Sequence, residues 1–529
     1  MNFMNDQAPP IPTPPAPPTS QGSLGPPEGA GRSPVWLWAL AFALLGAVTY
    51  LQRPDAPDPS RTRSQAVGLA PVKAPRADAL ILIGKLMLAF RELSPANGAA
   101  MQDQADAMTG FDGPGMLVVA KPRDPFRFPA HERLRSTILA GENLGPDAMA
   151  KRLDQIQAQL DPESDLNQDV ETLRDIYLAE QPGPAADRVD PADRAALEAR
   201  HGWFARLALS HGVAQAPVRT AAVTDGLLII GIIALAMTAV GVAGLTGFVM
   251  LILAVVALVS GRLPFRFRRP RPATEWPAAA DPSDGLSKAP SSVWLETVVV
   301  FLAGFLGLKL VVAGIHAGWP GIDGTTLTWM SLLGQWSLLL TIFWPVFRGM
   351  PLARYQQEIG WHRGEGVLKE VGWGVLGYCA GLPLYFAMAI IVVIVMFIVS
   401  ALTGGESITP DSNKVVDIVE GGTPAMLAVV FLLATVWAPI VEESIFRGAL
   451  FRHLRRRWPL VVAALGSCMV FAVLHGYLVA QLFIVGTLGF WFALLREWRG
   501  SLIAPAVGHF IHNCFVLSLV IIVMSLATG

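Results

Sequence analysis

Apolar residues in this chain gather into long blocks separated by short polar stretches. Val35 to Leu51 is nearly uninterrupted, and further blocks occupy 224–242, 244–260, 293–315, 326–347, 372–401, 424–452, 459–478, 480–495 and 502–526. Most approach or exceed the roughly 20 residues with which a helix crosses a bilayer core. Backbone in hydrocarbon must satisfy its own hydrogen bonds, so these blocks are expected as helices. The pattern predicts an all-α, polytopic transmembrane bundle of about ten spans. The pair meeting at Gly241 and Gly244 counts as two spans although no polar loop divides it.

The polar stretches organise the rest. Residues 9–31 read PPIPTPPAPPTSQGSLGPPEGAG, a composition that cannot bury a core, so 1–34 is expected as a disordered, proline-rich tail. Residues 35–51 then read as a transmembrane anchor. A signal peptide is not expected there, because a long, nearly uncharged proline-rich tract precedes the block and no clean small-residue cleavage site follows. From 52 to 223 the chain is polar, and KRLDQIQAQL and QDVETLRDIYLAE place apolar residues at helical spacing. That region is expected as a soluble helical domain, regulatory or spacing in role, with the binding of a protein partner or substrate as the alternative. It carries no metal, nucleophile or phosphate motif. Transmembrane helices follow over 224–369, and a last helical block over 370–529.

Composition supports this reading: 53% of the 529 residues are hydrophobic and 15% charged, with mean hydropathy +0.46, far too apolar for a soluble domain of this size. A lipid bilayer is therefore the expected surroundings. Net charge is −1, so no nucleic-acid partner is expected. Arginine outnumbers lysine, and alanine, glycine and proline are abundant, which suggests a GC-rich bacterial genome and hence an inner-membrane protein. Cys379, Cys468 and Cys514 show no metal or redox spacing and read as packing residues. Basic residues cluster at 261–272, at Arg348, Arg354, Arg363 and Lys369, and at Arg452 and Arg455 to Arg457. The loops 316–325 and 402–423 are acidic or neutral. By the positive-inside rule the basic loops are cytoplasmic. In a ten-span count the soluble domain shares that side and both termini lie opposite.

Ionisable groups inside apolar helices each cost roughly 2.5–3.5 kcal/mol on insertion scales and need partners or a wet cavity. Several occur here close together. VEESIFRG places Glu442, Glu443 and Arg447 on one helix, FAVLH ends in His475 on the next, and GHFIHN carries His509, His512 and Asn513 on the last. Glu443 and Arg447 are four apart and can pair on one face, whereas Glu442 is turned by about 100°. His509 and Asn513 share a face, and His512 points off it. At about 1.5 Å per residue, Glu442 lies roughly 20 Å from Arg455, and His509 to Asn513 roughly 15–21 Å from Arg499. One polar pocket in mid-membrane follows. Glu296 and Lys309 lie in another span without such company, and Lys309 reads as snorkelling or structurally paired.

These residues carry a resemblance. EExxxR (Glu442, Glu443, Arg447), FxxxH (Phe471, His475) and HxxxN (His509, Asn513), in that order, resemble the CAAX protease and bacteriocin-processing (CPBP) family, also called the abortive-infection family. The lead-in GSLIAPAVGH from Gly500 to His509 is similar too. Where the family often has two glycines four apart, Gly489 is followed here by Ala493. The resemblance covers about 370–529. It implies an intramembrane endopeptidase acting on a peptide or membrane-protein substrate, with Glu442 and His475 activating water. It further implies His509 and Asn513 as oxyanion stabilisers, and Glu443 and Arg447 as the site's scaffold. Glu442, His475 and His509 also have the donor types of an open three-ligand zinc site, although HExxH is absent, so metal and glutamate routes both stay open.

Three other readings compete. A buried salt bridge with mutually satisfied histidines would be purely structural. A transporter also lines its path with charge, but no second copy of either motif marks a duplicated half. A membrane scaffold for the soluble domain would tolerate loss of Glu442 and His475.

Overall fold

The computed structural model describes residues 33–51, 77–93, 102, 130–161, 163–179, 184–262, 292–319, 321–402, 422–475 and 479–528. The tail up to residue 32 and most of the loops expected at 261–272 and 402–423 lie outside the described residues. Among the described residues the regular structure is helical throughout. Helices long and apolar enough to cross a membrane run over Pro217–Val259, Val293–Gly318, Gly324–Phe347, Val367–Val399, Pro424–Arg455 and Ile503–Leu526. Shorter apolar helices include Val35–Leu51 and Leu460–Val473. The chain is an integral, multi-pass membrane protein.

We number the helices used below in chain order. The anchor α1 is Val35–Leu51, and the soluble domain contributes α2 (Ala77–Leu93), α3 (Ala130–Asn143), α4 (Pro146–Gln157), α5 (Asp165–Tyr177), α6 (Pro191–His201) and α7 (Trp203–Leu209). The bundle follows with α8 (Pro217–Val259), α9 (Val293–Gly318), α10 (Gly324–Phe347), α11 (Leu352–Ile359) and α12 (Val367–Leu402). It closes with α13 (Pro424–Arg455), α14 (Leu460–Val473), α15 (Val479–Arg499) and α16 (Ile503–Thr528). One large core joins α9, α10, α13, α14 and the ends of α15 and α16, with Val441, Ile445, Ala449 and Phe451 of α13 fully enclosed.

Two expectations are corrected. First, 224–242 and 244–260 are not a pair of spans but parts of the single helix α8. No proline interrupts it, and an interior glycine lowers helix stability by only about 1 kcal/mol, so the backbone ladder runs through Gly241 and Gly244. At about 1.5 Å per residue α8 is roughly 65 Å long, more than a bilayer core needs. Its first turns instead pack on the soluble domain, where Arg219 Nη1 donates to Glu142 Oε2 at 2.6 Å.

Second, the removal of one crossing reverses the sides expected for the start of α1 and for the soluble domain, while the C-terminal end of α16 stays opposite the basic loops as expected. Ser33, just before α1, sits 3.1 Å from His453 Nε2 and accepts from Arg457 Nη2 at 3.2 Å. The chain therefore enters α1 at the basic end of the bundle. At the opposite end Lys85 of α2 donates to the carbonyl of Leu526 in the last turns of α16 at 2.7 Å. The soluble domain thus lies with the C-terminal end of α16, across the bundle from the basic residues. The basic end itself is laced with ion pairs: Glu296 with Arg348 at 3.0 Å, Glu358 with Arg452 at 3.0 Å, Glu497 with Arg455 at 3.1 Å and Glu370 with Arg499 at 2.7 Å. Glu296 therefore has company that its sequence neighbourhood does not show.

The soluble domain has its own core, built from Leu80, Met87, Leu134, Ile138, Leu153, Leu173 and Phe204 among others. Helix starts follow local rules: Ser164 caps α5 by accepting from Leu166 N–H, and Asp190 caps α6 ahead of Pro191. Two buried carboxylates tie the helices together. Asp169 takes Arg200 in a two-pronged pair at 2.6 and 2.8 Å and lies 3.1 Å from His201 Nε2. Glu142 accepts from Tyr177 Oη at 2.8 Å as well as from Arg219. Burial alone would push both carboxyls up, but their histidine and arginine partners outweigh it and hold both below the ordinary range.

Two predictions follow from this arrangement. Single cysteines at Pro184 and Ser525, in a background lacking the native ones, should react with an impermeant label from one side and a cysteine at Arg456 only from the other. By the positive-inside rule the Arg456 side is the cytoplasm; labelling of Pro184 together with Arg456 would overturn the arrangement. Because the folded Asp169 and Glu142 are held low, their stabilisation is present at neutral pH and is lost as pH falls through about 4 and below. Acid titration of thermal stability should show this loss, and Asp169→Asn should flatten it.

Candidate active site

The site is built on an irregular helix. Within α13 the segments Leu433–Trp437 and Glu443–Phe451 have π-helical hydrogen bonding, which is rare and gathers at functional positions. Pro439 contributes to the first, because it has no N–H to offer the preceding turn. Ala438 N–H reaches back to Leu433 O, and the carbonyl of Ala434 accepts from Asn513 Nδ2 of α16 at 2.7 Å. A break in one helix thus fixes the amide of another.

Glu443 and Arg447 form the ion pair that their spacing predicts, at 2.8 Å, with both side chains almost wholly buried. The guanidinium is stacked on aromatic rings, 4.4 Å from the centroid of Phe471 and 5.5 Å from that of Phe492. Gly489 of α15 leaves room for this: a Cβ there would stand 3.0 Å from Phe471 and 3.2 Å from Arg447 Nη2. Ala493, where the family often has a second glycine, is fully buried.

His509 links the two glutamates. Its Nδ1 lies 2.9 Å from Glu443 Oε1, and its Nε2 lies 3.8 Å from Glu442 Oε2. Glu443 is an acceptor toward Arg447, so Nδ1 is the donor in the bond to Glu443, which leaves Nε2 turned to Glu442. A chain Arg447, Glu443, His509, Glu442 therefore crosses from α13 to α16 and back. Glu442 is the most exposed of the four, with 17% of its side chain accessible. Glu442 Oε2 and Glu443 Oε2 are buried oxygens that accept no hydrogen bond among the described residues.

His475 follows the end of α14, and its Nδ1 bonds the Phe471 carbonyl at 2.8 Å. Its ring meets Phe471 edge-on at 4.6 Å, and His509 meets the same ring at 6.2 Å. Phe471 is thus the shared floor of Arg447, His475 and His509. His512 faces elsewhere, as its helical position implies, 3.3 Å from Tyr378 Oη. Lys309 lies over Phe305 at 5.0 Å, away from these residues. Among the described residues no three His, Cys, Asp or Glu side chains converge into a metal-holding group. As placed, Glu442 and His509 supply two zinc donor types but His475 does not join them, and no step below is routed through a metal.

Sequence reasoning did not find Phe492, which stacks on His509 at 5.7 Å, nor the Ala434 carbonyl that holds Asn513. It also missed Trp361, whose Nε1 donates to Ser444 Oγ at 2.8 Å beside Glu443. Pro439 within an apolar span was the available signal for the freed carbonyl. Nothing in the local sequence points to Trp361.

Residues 424–515, which contain all seven motif residues, match the family model described as type II CAAX prenyl endopeptidase Rce1-like. This part of the chain is thus similar to CAAX-type membrane peptidases. It is 22% identical over 229 residues to the "Putative membrane peptidase YdiL" of Bacillus subtilis (strain 168), covering 42% of this chain and 87% of that protein. No solved structure matches the chain. The matched residues lie in α13 to α16, where the buried pair and the histidines meet, and exclude the soluble domain.

The buried pair generates a prediction. Glu443→Gln leaves Arg447 without its counter-charge and should destabilise the protein by about 3–5 kcal/mol. Glu442→Gln, which has no ion pair on its own helix, should change thermal unfolding in detergent little by comparison. Equal unfolding midpoints for the two variants would refute this division.

Proposed function

We propose that this chain is an intramembrane endopeptidase in which Glu442 is the general base toward the attacking water. The observation that carries this reading is the position of Glu442 at the accessible end of the Arg447, Glu443 and His509 chain. A carboxylate partly shielded from water and beside an oriented imidazole is suited to take a proton. His475, with Nδ1 donating to Phe471 O, presents Nε2 as the acceptor of its neutral ring and assists in holding that water. Asn513 steadies the oxyanion that forms when water adds to the peptide carbonyl, and His509 joins it when Nε2 also carries a proton, since its Nδ1 proton is given to Glu443. Preorganised donors of this kind are each worth roughly 10²–10³ in turnover. Asn513 suits the role because Nδ2 carries two hydrogens and the Ala434 carbonyl orients one of them. Glu443 and Arg447 hold His509 in place. Once the carbonyl carbon is tetrahedral, the proton held by Glu442 passes to the leaving amine and the peptide bond breaks.

The substrate is a membrane-associated protein or peptide, and the enzyme works in a bacterial inner membrane, where a short peptide or bacteriocin-like precursor suits the setting better than a prenylated tail. The arginine-rich, alanine-, glycine- and proline-rich composition supports the bacterial setting.

Incubating the purified protein with a peptide library, beside Glu442→Gln, tests the reading. The wild type should cleave, and the folded variant should lose turnover by on the order of a hundredfold or more. Near-normal turnover in Glu442→Gln would return the scaffold and transporter readings. Zinc is the second route: His509 approaches Glu442 to 3.8 Å, but His475 does not join them as placed. Chelation should leave cleavage intact under the glutamate route, and loss restored by added zinc would establish the other.

A further inference from the structure

Lysine is rare inside an apolar helix face, yet Lys85 stands in the run ALILIGKLMLAF of α2 and is 2% exposed. Its ammonium makes two bonds, to Asp225 Oδ2 of α8 at 2.9 Å and to the Leu526 carbonyl of α16 at 2.7 Å. The second acceptor lies in the last turn of a helix, where the carbonyls carry partial negative charge and lack intrahelical donors. Backbone contact makes the joint tight: a Cβ on Gly226 of α8 would stand 2.3 Å from the Lys85 carbonyl oxygen. Three elements therefore meet at one buried cation: the first described helix of the soluble domain, the long span, and the helix that carries His509 and Asn513.

We infer that Lys85 is a positioning residue through which the soluble domain sets the placement of α16 and hence of His509 and Asn513 against α13. The inference rests on the peptidase reading of the preceding section. Asn513 and Leu526 are joined by one helix, roughly 20 Å apart at 1.5 Å per residue, so a shift at its C-terminal end is carried to the site rather than absorbed between. The site is sensitive to such a shift because it is held by bonds of defined length, 2.9 Å from His509 to Glu443 and 2.7 Å from Asn513 to Ala434 O. A partner that binds the soluble domain and draws α2 away from α16 would lower activity without touching the catalytic groups.

The test uses the full chain with Lys85→Met, Lys85→Arg and Asp225→Asn. Lys85→Met should lower kcat by on the order of ten- to a hundredfold, the range expected for a displacement of about 1 Å. KM should change far less, because the lost interaction is with no part of the substrate. Lys85→Arg, which keeps the cation, should recover most of the loss, and Asp225→Asn should reproduce it in weaker form. Spin labels at Val436 of α13 and Val516 of α16, both exposed on the bundle surface, give a readout that needs no activity. With Cys379, Cys468 and Cys514 replaced, their distance distribution should shift or broaden in Lys85→Met and return in Lys85→Arg. If Lys85→Met does not yield folded protein, the same two readouts on Asp225→Asn decide. Wild-type kcat with an unchanged distance would overturn the inference while leaving the peptidase reading intact. Absence of cleavage in the wild type would overturn the peptidase reading, and the spin-label distance alone would then decide whether Lys85 governs the placement of α16.

Discussion

An arginine enclosed in hydrocarbon must be neutralised where it stands, and the rest of the site is arranged around that constraint. Arg447 meets it with Glu443 one helical turn away and with the faces of Phe471 and Phe492. The same Glu443 oxygen then faces His509, so one carboxylate both neutralises the cation and orients the imidazole. Had Glu443 only balanced Arg447, a well-packed apolar pair could have replaced both at little loss. Its second contact explains why the charge is kept.

The irregularity of α13 serves the same end. A regular helix would use its own carbonyls in the ladder and turn adjacent side chains by about 100°. The π segments and Pro439 alter that accounting: one carbonyl is given to Asn513, and Glu442 and Glu443 address different sides of His509. The aromatic floor is shared rather than repeated, since Phe471 touches the cation and both histidines. Change at any of these positions is therefore felt by several of the others, and additive effects are not expected among them.

The two ends of the bundle are stabilised differently. At the basic end the arginines that orient the protein are also internal, each answered by a glutamate from another helix, so sidedness and packing come from the same residues. At the other end a folded helical domain packs on α8, whose Ala222 joins its apolar core, and is tied to the bundle by buried polar contacts, Lys85 to Asp225 and Leu526 O, and Arg219 to Glu142.

The sequence by itself determined the membrane class, the helical fold and the pairing of Glu443 with Arg447, because these depend on local quantities: block length, the internal satisfaction of backbone bonds and the four-residue helical repeat. It also gathered Glu442, His475, His509 and Asn513 as candidates, since ionisable groups in apolar runs stand out by composition alone. Whether 224–260 is one helix or two depended on the absence of any interruption to the backbone ladder, and a hydropathy pattern does not register that. The sides of the soluble domain and of the start of α1 failed with it, because with the basic loops as reference a lost crossing inverts what precedes it, and only the contacts of Ser33 with His453 and of Lys85 with Leu526 decided the matter. The role of His509 between two carboxylates, the capture of Asn513 by Ala434 and the approach of Trp361 to Ser444 join residues 66 to 83 positions apart. Contacts at such separation are set by how helices pack, and no local pattern encodes them.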